Sequence, residues 1–227
     1  PQSLSTDHIV SALAAIDSKF AIKLPSLIYR GVVMSEINLE GQLADGSLTV
    51  KTLTVSNAAD TAFALSGVLT EIGDSPKGEI KLQAASKDIT GLLRAMELPS
   101  LPGGAVGAMT LNANCLFAGE LVKSEVDLRL GETAIKFTGE AVGIARALLT
   151  GGSGIGSLHA VAQLGNQSLT AFTGQFNLPM LAPADVAADA PVTFQAELTG
   201  DLARMEVTAG AEIAGAAIAL TGAVDNI

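Results

Sequence analysis

The sequence predicts a mainly β fold with a few short helices (α+β), in which repeated antiparallel strands form an elongated, curved, partly open β-sheet groove. Three observations lead to this fold class. Apolar and polar residues alternate with a period of two along most of the 227-residue chain. A small residue followed by Gly closes a strand-like segment three times, at Gly67, Gly139 and Gly222. Hydrophobic residues make up 48% of the chain, yet no stretch approaches the ~18 unbroken apolar residues of a membrane helix.

The first predicted unit covers residues 1–75. An apolar stripe with helical spacing predicts a helix over residues 6–17. From Phe20 onward the apolar period changes to two, which is typical of strands. Asp45-Gly46 is a strong tight-turn signal between two alternating segments, so residues 36–55 are predicted to form a hairpin.

Two further units, 76–150 and 151–227, share one order of elements. Each is predicted to contain a strand, a short helix and then three strands. In the second unit the strand covers 79–84, the helix 88–97, and the next strand 108–118, followed by strands around Val126 and Ile135. In the third unit the strand covers 157–164, the helix 167–177, and the later strands 192–199, 203–209 and 212–224. Glycine-rich residues 150–156 form a linker, and 182–191 an extended loop.

The two later units also match residue by residue. Ile89 and Leu98 correspond to Leu169 and Leu178 at one constant offset, and Gly139 corresponds to Gly222 after a short insertion. Repetition on this scale indicates units that share a core with their neighbours. We therefore expect one continuous sheet, a fragment of a larger protein with further repeats, and a scaffold or conduit.

Composition argues against several classes of function. The formal net charge is −10 and the basic residues are scattered, so we expect no nucleic-acid partner. Cys115 lies in an apolar alternation and is predicted to be a small core residue. His8 and His159 lack the spacing of metal ligands, so neither a metal nor another cofactor is expected. Asn166 begins a glycosylation sequon, but a helix-capping role fits it better. No motif nominates catalytic residues, and we expect a protein that is not an enzyme.

One stretch of the first unit, Leu39-Glu-Gly-Gln-Leu-Ala-Asp-Gly-Ser-Leu-Thr-Val-Lys-Thr-Leu-Thr-Val55 followed by Phe63-Ala-Leu-Ser-Gly67, resembles the AsmA family of bacterial envelope proteins. The second unit, with Gly78-Glu-Ile-Lys-Leu82, Asp88-Ile-Thr-Gly-Leu-Leu-Arg-Ala-Met96 and Phe137-Thr-Gly139, is similar to the same family's repeat. The third unit is a looser copy. The resemblance covers essentially the whole chain.

The resemblance implies a periplasmic protein tethered to the inner membrane by an N-terminal anchor that is missing from this sequence. It implies a non-catalytic module that shelters phospholipid acyl chains in an apolar β-groove, for lipid transport between the inner and outer membranes and for outer-membrane biogenesis. The alternative is a structural β-solenoid or an adhesin-like surface module with a closed, dry core.

An acyl-chain groove needs a wide apolar wall, and alternation along the strands supplies one. For each apolar residue taken singly, burial in an ordinary core is the competing interpretation. The residues predicted to contact lipid are Met109, Leu111, Phe117, Val126, Leu128, Leu130, Ile135, Phe137, Phe194, Leu198 and Val207.

Overall fold

Twelve strands form one antiparallel sheet whose spatial order follows the order of the chain. The computed structural model describes residues 17–29, 31–71, 75–95, 107–143, 156–176, 189–201 and 203–225. The strands are β1 (Ser18–Tyr29), β2 (Val32–Ala44), β3 (Ser47–Ala58), β4 (Thr61–Thr70), β5 (Lys77–Ser86), β6 (Met109–Ala118), β7 (Leu121–Leu130), β8 (Thr133–Val142), β9 (Ser157–Asn166), β10 (Val192–Gly200), β11 (Arg204–Ile213) and β12 (Ala216–Asp225). Two short helices accompany them, α1 (Thr90–Ala95) and α2 (Leu169–Phe176).

The predicted fold class is confirmed: the protein is mainly β, with short helices and repeated antiparallel strands. The sheet stays open and uncurled, since β1 and β12 lie at opposite ends of the strand order and do not pair with each other. Strands of about ten residues span ~34 Å, and eleven strand-to-strand spacings span ~53 Å. Each face of the described sheet is therefore broad.

Two-residue turns fix the register of several pairs of neighbouring strands. Asp45-Gly46 joins β2 to β3 with φ angles of 49° and 67°, the left-handed pair that a tight hairpin turn requires. Ala59-Asp60 joins β3 to β4 with φ angles of 52° and 63°. The predicted 36–55 hairpin is confirmed, with Leu43 opposite Leu48. Because side chains alternate across a strand, these turns decide which residues share a face.

Both helices pack on the same face of the sheet, near one end of the strands. Ile89, just before α1, joins a buried cluster with Ala84, Met109 and Leu130. Leu169 and Phe172 of α2 form the second cluster with Val192, which has no exposed surface. The Phe172 ring lies 5.0 Å from that of Phe176 and 5.5 Å from that of Phe194. The two clusters hold the principal core of the described chain.

A buried polar network attaches α2 to the turn between β7 and β8. Asn166 Nδ2 donates to Thr133 Oγ1 at 2.9 Å, and Thr133 Oγ1 donates to Gln175 Oε1 at 2.7 Å. Gln175 Nε2 in turn donates to the carbonyl oxygen of Leu130 at 2.8 Å. These bonds satisfy polar groups that would otherwise be costly to bury, and they join the third sequence unit to the second.

The other predicted elements divide into three groups. Strands at 79–84, 108–118, 157–164, 192–199 and 203–209 are confirmed within a few residues, as are the described parts of the helices at 88–97 and 167–177. The single strand predicted at 212–224 is wrong at its start, because Ala214-Gly215 turns the chain between β11 and β12. The helix at 6–17, most of the 150–156 linker and residues 182–188 of the 182–191 loop lie outside the described residues.

Candidate functional site: the apolar face

Cross-strand pairing places apolar residues in rows that run across the whole sheet on one face, here named the apolar face. The first row contains one residue from each strand and is apolar throughout. From β1 to β12 its members are Leu24, Ile37, Val55, Phe63, Ala84, Leu111, Leu128, Ile135, Leu164, Phe194, Ala211 and Ile218.

The second row lies two residues further along each strand, farther from the helices, and is also apolar in every strand. Its members are Ile22, Leu39, Leu53, Leu65, Leu82, Ala113, Val126, Phe137, Ala162, Ala196, Ala209 and Leu220. Two unbroken rows of twelve arise from period-two alternation combined with a register that is kept across these two rows; the register shifts on either side of β3 fall outside them.

Burial differs between the two rows. The helices and their clusters pack against the first row at Phe63, Leu111, Leu128 and Ile135 around α1, and at Leu164 and Phe194 around α2. In the second row every residue is half-buried or exposed, and none is buried. The second row is thus apolar surface that the described helices do not cover.

The third row contains the three recurring glycines. Gly67, Gly139 and Gly222 all fall in it, as do Gly41 and Cys115. Its other members are Phe20, Val50, Ile80, Ser124, Ala160, Leu198 and Val207. Across these three rows there is no Asp, Glu, Lys or Arg. The second and third rows together span roughly 700 Å² at standard strand spacings, above the 300–600 Å² of a typical largest surface patch.

Charged residues occupy the opposite face of the sheet. Lys123 Nζ lies 2.6 Å from Glu140 Oε1, and His159 Nε2 lies 3.1 Å from Glu197 Oε1, with about half of each side chain exposed. His159 thus lies on the polar side of its strand. Exposed pairs of this kind contribute little to stability. Because the charged side chains lie on this side, the two faces of the sheet differ sharply in polarity.

All eleven residues predicted to contact lipid lie on the apolar face. Leu111, Leu128, Ile135 and Phe194 belong to the first row, Val126 and Phe137 to the second, and Leu198 and Val207 to the third. Phe117 lies one row further from the helices, opposite Val122. Met109 and Leu130 are only 4% and 5% exposed within the α1 cluster, so these two residues form core.

Sequence reasoning passed over the small residues that share this surface. Ala162, Ala196 and Ala209 all belong to the second row. An alanine in an alternating segment carries little hydrophobic signal, so only its register with Val126 or Phe137 identifies it. These alanines make the third-unit end of the row shallower than the rest.

Asn166, which begins the glycosylation sequon, has a structural role. The Asn166 side chain is 2% exposed; its Oδ1 accepts from the Ser168 N–H at 2.9 Å, and Ser168 Oγ accepts from the Ala171 N–H at 3.1 Å. This bonding begins α2 as a helix cap, as expected, and it buries the sequon's asparagine. Burial raises the pKa of the Cys115 thiol.

Neither a metal centre nor a membrane-spanning helix is found in the described ranges. No three His, Cys, Asp or Glu side chains there converge on a position that a metal ion would occupy. The helices of that part lack the combination of length and apolar character needed to cross a bilayer. His8 lies outside the described residues.

Fold and site together define a class: a single-layer antiparallel sheet with one continuous apolar face, braced by short helices along one margin. Comparison with models of known protein families, with curated proteins and with solved structures finds no match to this chain.

Proposed function

We propose that this protein is a non-catalytic envelope module of the AsmA type, whose apolar face shelters phospholipid acyl chains during transport between the inner and outer membranes. The observation that carries the proposal is the second row, which is apolar in all twelve strands, uncharged and not covered by either described helix. A periplasmic location, an inner-membrane tether and a role in outer-membrane biogenesis belong to the same proposal and derive from the AsmA resemblance.

The chemistry of the face suits acyl chains better than a polar ligand. Transfer of each methylene from water to an apolar surface contributes ~0.8 kcal/mol, so about ten methylenes supply ~8 kcal/mol before the costs of association. Such binding needs no polar anchor and favours no single position along a row. A ligand held this way can shift along the ~53 Å of the sheet, which is what a conduit requires.

The rival interpretation, a β-solenoid or adhesin-like module, called for a closed and dry core. The described strands form one layer with no second sheet packed on the second row. Single-layer architecture therefore favours the lipid-sheltering proposal.

Photo-crosslinking tests the proposal with matched neighbours on opposite faces. A photoreactive phenylalanine analogue placed at Val126 or Leu198 faces the open rows, whereas the same analogue at Glu125 or Glu197 faces the charged side. We expect phospholipid adducts, detected by mass spectrometry after irradiation in cells, at Val126 and Leu198 only. Equal adduct formation on both faces, or none on the apolar face, would contradict the proposal.

A charged substitution in the second row tests whether this face is needed for lipid transfer. Phe137→Lys places an ammonium group in the second row, whereas Thr138→Lys places the same group on the polar face one residue away. In vesicle-to-vesicle transfer of a fluorescent phospholipid, Phe137→Lys is expected to reduce the rate at least tenfold and Thr138→Lys less than twofold. A Phe137→Lys protein that folds normally and transfers lipid at the native rate would exclude this face as the binding surface.

Cys115 supplies a readout that needs no substitution. It lies in the third row and is partly exposed, and burial raises the pKa of its thiol, so the reactive thiolate is scarce at pH 8. Phospholipid bound over the face should slow its alkylation by iodoacetamide further, by about threefold or more. Alkylation at the same rate with and without phospholipid vesicles would argue against occupancy of the third row.

A further inference from the structure

A hollow of about 530 Å³ lies on the sheet over β8–β12. In β8 it is lined by Ala134 and Lys136 but not by Ile135 between them, and Ile135 belongs to the first row of the apolar face. Because successive side chains point to opposite sides of a strand, the hollow opens on the other side of the sheet, here named the polar face. Its volume is within the range of small-molecule sites.

Two glycines form the floor of the hollow. A Cβ added at Gly165 would meet no atom within 4 Å, and one added at Gly210 would meet only the carbonyl oxygen of Ile218, at 3.8 Å. Neither glycine has a left-handed φ, and the pairing of β8 to β12 contains no bulge. Glycine weakens a strand interior and marks a bulge, a bend or the close approach of a ligand or another backbone. Since neither a turn nor packing requires these two glycines, what they provide is space on the polar face.

The polar side chains around this floor have no partner within the described chain. They are Lys136, Gln163, Thr193, Gln195 and Glu212, and each is exposed. None of the five forms a hydrogen bond or an ion pair with another residue of the part that the structure describes. Elsewhere on the polar face several such groups pair with each other, as Gln83 does with Asn112 and Lys123 with Glu140. The polar groups of the hollow therefore remain available to a ligand.

The chemistry of the hollow favours an uncharged ligand with many hydroxyl groups. Among the described lining residues Lys136 is the only cation and Glu212 the only acid, and they stand three strand spacings, ~14 Å, apart. One ammonium group is a poor site for a polyanion, and one carboxylate is a poor site for a metal ion. Amide side chains, by contrast, both donate and accept, as sugar hydroxyls do. A floor without side chains suits the flat C–H face of a pyranose ring.

We propose that the polar face binds a flat, uncharged oligosaccharide of the β-1,4-linked type in the hollow over Gly165 and Gly210. Gln163 and Gln195 lie directly opposite each other in β9 and β10, so their amides can bond neighbouring hydroxyls of one ring. Lys136, next to Gln163 in β8, serves the ring at one end. This site is separate from the apolar face and does not depend on lipid binding there.

An NMR titration of the whole ¹⁵N-labelled chain tests the proposal. Cellotriose should shift the side-chain amide signals of Gln163 and Gln195 with a Kd of about 1 mM or tighter. Chitotriose, which has the same linkage, should shift the same signals. Maltotriose, the bent α-1,4-linked isomer of cellotriose, should bind at least fivefold more weakly.

Leucine substitutions on the polar face supply the matched variants. Gly165→Leu fills the hollow from its floor, where an added Cβ meets no other atom, and should weaken cellotriose binding at least tenfold. Gly210→Leu is an independent second variant with the same expected loss. Thr221→Leu places the same side chain on the polar face of β12 outside the hollow and should change the Kd less than twofold. Circular dichroism establishes that each variant is folded.

Three results would overturn the proposal. The first is the absence of shifts at Gln163 and Gln195 with both cellotriose and chitotriose at ten times the expected Kd. The second is equal affinity for maltotriose, because the flat floor would then select nothing. The third is native affinity for cellotriose in a folded Gly165→Leu or Gly210→Leu protein, because the ligand would then lie elsewhere.

Discussion

The side chain of Asn166 is expected to stabilise α2 against local unfolding by about 2–3 kcal/mol. Asn166→Ala removes two hydrogen bonds of 2.9 Å, one to Thr133 Oγ1 and one from the Ser168 N–H, at a site only 2% exposed. Each intramolecular hydrogen bond contributes about 1 kcal/mol, and the small void left by the side chain adds to the loss. Gln167→Ala, an exposed neighbour, should change stability by less than about 0.5 kcal/mol.

The assay follows the helix itself as well as the whole sheet. Urea denaturation gives the global loss, and amide hydrogen exchange at Phe172, whose N–H donates to the Ser168 carbonyl at 3.0 Å, reports local opening of α2. A loss of 2 kcal/mol corresponds to roughly thirtyfold faster exchange when opening is at equilibrium.

A double-mutant cycle tests whether the network acts as a unit. Thr133→Val removes the acceptor of Asn166 Nδ2 and the donor to Gln175 Oε1, while it keeps a similar volume. The two substitutions share a hydrogen bond, so their combined effect should fall short of the sum by about 1 kcal/mol. Strictly additive losses, or a loss below 0.5 kcal/mol for Asn166→Ala, would refute the inference that these bonds fasten α2 to the β7–β8 turn.

Three other substitutions probe separate features of the fold. Phe172→Ala empties the centre of the α2 cluster, where Phe172 contacts Phe194, and should lower the free energy of unfolding by about 3–4 kcal/mol in urea. Ala214→Asn creates an Asn-Gly turn at a residue whose φ is 53°, and a gain of about 0.5–1 kcal/mol should appear as a higher Tm. Hydrogen bonds with Thr90 hold the pKa of Asp88 below its ordinary 3.8, so the carboxylate stabilises the fold above that pH and loses its contribution as pH falls through the lower, folded-state pKa. Asp88→Asn should accordingly lower Tm at pH 7, and the difference from the native protein should shrink as the pH falls below 3.8.

Local sequence signals are sufficient for much of this fold. Period-two alternation predicts the strands, and Asp45-Gly46 predicts a hairpin turn whose φ angles the structure confirms. Ala214-Gly215 escaped prediction because it interrupts a run of small residues that carries no change of period. Where local chemistry is distinctive the prediction succeeds, and where alanine dominates it does not.

The candidate site depends on a property that is not local. Val126 and Phe137 are recognisable as apolar strand residues, but their alignment with Ala113 and Ala162 follows from the register of four strands. Whether an apolar residue belongs to the core or to the surface is equally non-local. Leu130 is buried because α1 and Ile89 pack against its end of β7. Val126, four residues away on the same strand, lies in the second row and is only half-buried.

The placement of the helices explains how one apolar face can serve two purposes. α1 and α2 brace only the margin containing Met109 and Val192, where burial stabilises the sheet. Neighbouring side chains of the same face partly shield the second row from water, so most of its residues are half-buried although neither described helix covers them. Substitutions there should cost less stability than substitutions under the helices, because less apolar surface has been removed from water. Substitutions in the second row can therefore change ligand contact with little change in stability. A lipid-binding face needs this separation, because the residues that contact the ligand cannot also be buried in the core.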